Sequence, residues 1–123
     1  IKLAIAKGYK NIAVTVTLAS DIDEIEKIRD EHPDVNIYVF VVHTSKKNPE
    51  DARKLFDACD VTTACASKNI REIGQKESIK TVGQSIPIYA RTENGKKFLE
   101  MRLKKIGGEK PKKDNPDLPH PLI

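Results

Sequence analysis

The chain predicts a small three-layer α/β domain of Rossmann-like type, a parallel sheet of about four strands flanked by helices. Three observations lead there. Short β-branched apolar runs alternate with helical patterns, as in successive βαβ units. The runs are almost continuously apolar, as in strands covered on both faces. The links between them are short, which suits parallel strands joined by right-handed crossovers. A length of 123 residues suits one domain with one core. With aromatics at 5% and no Trp, that core is aliphatic.

The elements follow in order. Ile1 to Gly8 reads as the end of a helix capped by Gly8. A helix that starts at residue 1 without an N-cap is expected to belong to a longer chain, with another strand upstream. Asn11–Thr17 is the first strand. Ser20 or Asp21 caps a helix whose inner face is Ile22, Ile25 and Ile28, and His32-Pro33 stops it. Val35–Val42 is the strongest strand. Asn48 caps the next helix with Pro49 at its first position, and Ala52, Leu55, Phe56 and Cys59 form one face.

Val61–Ala66 is the third strand, and a helix runs from Ser67 to about Gln75. Glu77–Ser85 is less regular. Ile86–Ala90 is the fourth strand, and Pro87 places it at the sheet edge or starts it. Thr92 caps a last helix with Leu99, Leu103 and Ile106 inward, ended by Gly107-Gly108. The domain is therefore 1–106. Residues 107–123, rich in Pro and Lys, form an extended arm or linker.

Composition excludes several classes. The net charge of +4 is concentrated in Lys96, Lys97, Arg102, Lys104, Lys105, Lys110, Lys112 and Lys113. That cluster reads as a solvated helix face and basic tail, not a nucleic-acid patch. No apolar run approaches the roughly 20 residues that span a bilayer, and no signal peptide is visible. Two cysteines make no disulfide framework, so a reducing, cytoplasmic compartment is expected.

In a parallel sheet the C-terminal strand ends share one edge, where ligands bind. Four clusters would then converge: Thr15 to Ser20, His43-Thr44-Ser45, Cys65-Ala66-Ser67-Lys68 and Arg91-Thr92. Thr17, Thr44, Ser67, Lys68, Arg71 and Arg91 are the candidate ligand-binding residues for a small anion, and Cys65 with His43 the candidate catalytic pair. Cys65 is open to three roles. It is a nucleophile favoured by the following helix and Lys68, with His43 as base. It is a ligand, although Cys65 and His43 alone are too few for a metal or cluster site, so no metal is assigned. Or it is a small apolar residue closing a buried strand. Cys65 and Arg71 bracket five residues, a spacing that resembles the phosphate loop of cysteine-dependent phosphatases and arsenate reductases. The loop lacks that motif's glycines, and Glu72 replaces its hydroxyl residue. No glycine-rich dinucleotide loop or Walker motif is present, so no cofactor is named.

The segments Ile37-Tyr38-Val39-Phe40-Val41-Val42-His43-Thr44, Asp60-Val61-Thr62-Thr63-Ala64-Cys65-Ala66-Ser67-Lys68, Ile70-Arg71-Glu72 and Ile86-Pro87-Ile88-Tyr89 resemble the methanogenesis marker protein 8 family. The resemblance spans most of 1–106 and matches the C-terminal portion of that family's longer chains. It implies a cytoplasmic, anaerobic, archaeal setting, an association with methanogenesis, and other methanogenesis proteins as partners, with an accessory role around the methyl-coenzyme M system. It carries no catalytic residues. Three functions compete: a small-ligand or anion-binding domain, a cysteine-dependent enzyme with Arg71 binding the oxyanion, and an interaction domain docking through its basic helix and tail.

Overall fold

A computed structural model describes residues 1–123. The elements are α1 (Lys2–Ala6), β1 (Asn11–Val16), α2 (Asp21–Glu31), β2 (Asn36–Val41), α3 (Pro49–Ala58), β3 (Val61–Thr63), α4 (Lys68–Glu77), β4 (Lys80–Val82), β5 (Ile88–Ala90) and α5 (Glu93–Ile106). The fold is a mixed α/β sheet of five strands in the order β1-β2-β3-β5-β4.

The first three strands are parallel, as expected. Asn11 pairs with Asn36 through to Val16 with Val41, and Phe40 pairs with Val61. The second half departs from the expectation of an all-parallel sheet. β5 runs antiparallel to both β3 and β4. The reason lies in the stretch read as irregular. After α4 the chain enters β4, which runs in the same direction as β3, so the parallel crossover strand is Lys80–Val82. The chain then folds back at Gly83 and inserts β5 between β3 and β4. Gly83 has φ +81°, and a Cβ there would lie 2.6 Å from the Ile86 carbonyl oxygen, so the turn needs glycine. Pro87 falls just before β5, where its missing N–H is not needed, and its carbonyl accepts from Ala64 N–H at 2.9 Å.

Local chemistry explains the helix ends. The Asn48 side chain accepts from Asp51 N–H at 2.7 Å with Pro49 at the first position. Gly8, at φ +88°, and Tyr9 donate back to Ile5 and Ala4 and close α1. The start of α2 differs from expectation. Ser20 is already helical and makes no cap bond, because Asp21 and Ile22 donate to Leu18 and Ala19 carbonyls in a preceding turn.

Strand pleating sorts the core onto two faces. On one, Ile22, Ile25 and Ile28 of α2 and Leu55 of α3 cover Ile12, Val16, Ile37, Val39 and Val41. Phe56, Ile70 and Tyr89 continue that layer under α3 and α4. On the other, α5 lies alone, with Leu99 against Val61 and Ala90. Phe98 falls among the lysines of α5 yet turns inward, its ring 5.1 Å from Tyr38 and 5.4 Å from Phe40. No helix is long and apolar enough to cross a membrane.

Two helix glycines mark close approaches. A Cβ on Gly95 would lie 2.1 Å from the Asp60 carbonyl oxygen, and one on Gly74 would lie 2.4 Å from the Tyr89 ring. Helix propensity alone favours Ala over Gly by about 1 kcal/mol. The clashes should reverse that sign. Gly95→Ala is expected to lower stability by about 3 kcal/mol, because it meets main chain, and Gly74→Ala by about 1–3 kcal/mol, because a ring can shift. Urea unfolding would measure both, and a Gly95→Ala protein more stable than the parent would contradict the packing.

Candidate functional site

The loops leaving β2 and β3 face each other and are stitched together. Thr44 is fully buried, and its hydroxyl donates toward the Thr63 and Ala64 carbonyls at 2.9 and 2.8 Å. Ser45 Oγ accepts from Ala66 N–H at 3.0 Å, and the Asn69 amide donates to the Lys47 carbonyl at 2.8 Å. Three non-glycine residues with left-handed backbone lie in these two loops: His43 (φ 53°), Lys46 (φ 64°) and Cys65 (φ 46°). Each costs about 1–3 kcal/mol of backbone strain.

Cys65 is half-buried, with Sγ 3.4 Å from Thr63 Oγ1. Burial works against its thiolate, but the Thr63 hydroxyl, the Thr44 main chain and hydroxyl, and the His43 main chain outweigh it and lower the thiol below its ordinary range. His43 thus serves the sulfur through its main chain, while its side chain is exposed. Cys59 is the opposite case: burial pushes its thiol up to about 12.

The other candidates divide. Ser67 is fully buried, and its hydroxyl caps α4 by accepting from Ile70 N–H at 3.1 Å. Arg71 is also buried. Its Nη2 donates to the carbonyls of Cys65 at 2.6 Å and Ser85 at 2.9 Å, and its Nε is buried without a partner. It braces the Cys65 loop against the β4–β5 turn and faces the loop's carbonyl, unlike the anion-facing arginine of a phosphatase loop. Thr17 follows β1, beyond β2 from Cys65, and no hydrogen bond joins its side chain to this cluster.

Arg91 is not at this edge. Because β5 is antiparallel, Arg91 emerges at the opposite end of the sheet, where its N–H donates to the Asp60 carbonyl and its Nε to the Cys59 carbonyl, at 2.9 and 2.8 Å. The expected convergence of Arg91 with His43 and Cys65 does not occur.

Lys68 does belong to the site, but through its main chain. The N–H groups of Lys46 and Lys68, from the two loops, both donate to the main-chain oxygen of Ile123 at 3.2 Å, and Ile123 N–H donates to the Ala66 carbonyl at 2.8 Å. Lys68 opens α4, so its N–H has no partner within the helix. Sequence reasoning missed Lys46 and Ile123. Lys46 acts by backbone position, and the arm was read as extended. Residues 107–123 stay outside the core clusters but are tied down here, at Gln84, which bonds Pro111 and Lys113, and by the Glu109–Lys80 salt bridge. No group of three or more His, Cys, Asp or Glu is placed to hold a metal ion. A separate groove of about 770 Å³ lies between α5 and the arm, with Arg102, Lys110, Lys112 and Lys113 along it.

Native alkylation should distinguish the two thiols. Cys65 is expected to react with a midpoint below the ordinary thiol value near 8.5, and Cys59 to stay unlabelled. Thr63→Val removes the hydroxyl and should move the Cys65 midpoint upward. Iodoacetamide labelling across pH, read by mass, checks both, and an unmoved midpoint would rule out the hydroxyl's role.

Comparison with known proteins adds the family. Residues 1–104 match the family model described as "Uncharacterized protein conserved in archaea (DUF2099)". The chain is similar to "Uncharacterized protein MJ0054" of Methanocaldococcus jannaschii, 37% identical over 107 residues. That match spans 86% of this chain and 36% of the relative, so the chain corresponds to about a third of that protein. No solved structure matches it. The matched segment takes in all five strands and both loops of the site, and the chain belongs to this archaeal family.

Proposed function

We propose that this chain is a small-ligand-binding α/β domain of a methanogenesis-associated protein, taking an anionic or carbonyl oxygen at the ends of β2 and β3. The observation that carries the reading is the convergence of Lys46 and Lys68 N–H on one oxygen. The two donors come from different loops, so their meeting on one oxygen is not a by-product of local helix geometry. The N-terminus of α4 adds a favourable dipole for negative charge. The strained backbone of His43, Lys46 and Cys65 supports the same place, since such strain concentrates at binding sites. The association with methanogenesis rests on the resemblance of the Asp60–Lys68 and Ile37–Thr44 segments to marker protein 8. A cytoplasmic setting is supported by two cysteines that form no disulfide.

A second reading, a cysteine-dependent enzyme, is favoured by the donors around Cys65 Sγ. Arg71 could not be its oxyanion clamp as placed, because Nη2 holds two carbonyls. The Lys46 and Lys68 N–H pair would take that role.

Lys68→Pro separates main chain from side chain. Proline suits the first position of a helix, and Ser67 already has the extended backbone that precedes proline (ψ 116°). The substitution removes the donor and leaves α4 intact. Titration with sodium phosphate or acetate, followed by amide NMR, should move Lys46 and Lys68 together and saturably. Lys68→Pro should weaken binding about tenfold, the worth of one good hydrogen bond, and Lys68→Ala much less. Shifts confined to the lysines of α5 would refute the reading.

A further inference from the structure

The way Ile123 is held says more than that an oxygen fits. We infer that the strand-end loops select a peptide-like ligand, an N-acylated amino acid, and that Ile123, carried on the strap formed by residues 107–123, occupies the place of that ligand. The inference rests on the proposed site and names its ligand class and its regulation.

Three bonds define the recognition. The site offers one acceptor, the Ala66 carbonyl, and two donors, Lys46 and Lys68 N–H. Ile123 meets them with an N–H and an oxygen separated by one Cα. A phosphate ion would engage the donors and leave Ala66 without a donor partner, whereas an N-acyl amino acid satisfies all three groups. Ile123 as a residue is 38% exposed, while all three of its main-chain bonds to the site are made. Lys46 and Lys68 are exposed and join none of the protein's salt bridges, and their two positive charges favour a carboxylate in the oxygen position.

The strap is suited to competition rather than to permanent closure. It adds nothing to the core clusters, and its two long bonds of 3.2 Å are weaker than good N–H···O contacts. Tethering gives it a high effective concentration. Pro116, Pro119 and Pro121 reduce the entropy lost on docking. A free ligand must therefore displace an intramolecular one, and apparent affinity falls by the fraction of time the strap is bound.

The test compares the full chain with one lacking residues 118–123, using N-acetyl-isoleucine, its ester analogue in which oxygen replaces the amide N–H, and inorganic phosphate. Lys46 and Lys68 amide shifts report binding. N-acetyl-isoleucine should bind the shortened chain at least tenfold more tightly than the full chain, and the ester should bind several-fold more weakly than the amide. Phosphate binding with no preference for amide over ester would overturn the ligand class while leaving an anion site. No shift at either amide with any probe would overturn both readings. Should the shortened chain fail to fold, hydrogen exchange in the full chain decides. Lys68→Pro should speed exchange of the Ile123 amide at least tenfold over Lys68→Ala, and equal rates in the two would overturn the strap.

Discussion

The buried carboxylate of Asp60 holds the two halves of this sheet together. It enters β3, the strand where parallel pairing gives way to antiparallel. One carboxylate oxygen accepts from Val39 N–H at 2.8 Å and the other from the Thr92 hydroxyl at 2.6 Å. Its main chain donates to Val39 and accepts from Arg91. A single residue thereby fixes β2, the end of β5 and the start of α5. Thr92 in turn caps α5 by accepting from Gly95 N–H at 3.0 Å, and Gly95 passes so close to Asp60 that only glycine fits. Losing the carboxylate would leave the buried Val39 N–H unpaired, at about 1–3 kcal/mol, and would take the acceptor from the half-buried Thr92 hydroxyl.

With β3 fixed at one end, its other end becomes a rigid mounting for the site. Thr44 and Ser45 join the β2 loop to the β3 loop, and Arg71 joins the β3 loop to the β4–β5 turn. The bracing is what lets His43, Lys46 and Cys65 remain in left-handed conformations without glycine. The side chains first suspected of binding are spent on this bracing: Thr44 and Arg71 hold carbonyls, and Ser67 caps a helix. The Ile123 oxygen is held instead by main-chain N–H groups, and the chemistry around Cys65 Sγ is likewise set by a neighbouring hydroxyl and main chain. Arginine at position 71 is better understood as a brace than as a clamp.

What the residues determine alone is the set of elements and where reactive groups leave them. β-branched runs made β1, β2 and β3 legible. Asn48-Pro49 and Thr92 marked helix starts, because cap chemistry is local. The position of Cys65 between strand and helix was readable for the same reason. Lys80–Val82 was missed because three residues carry too little periodicity to separate a strand from a loop.

Tertiary structure alone decided the direction of β5, and with it the fate of Arg91. A strand's apolar run is the same read either way, so orientation depends on the Gly83 turn and the partners it meets. It also decided the site's true composition. Main-chain donors at Lys46 and Lys68 exist in any sequence, and only the packing of two distant loops aims both at one oxygen. The docking of Ile123 was invisible for the same reason: a proline-rich arm has no periodicity, and its place is set by the acceptor and donors it finds.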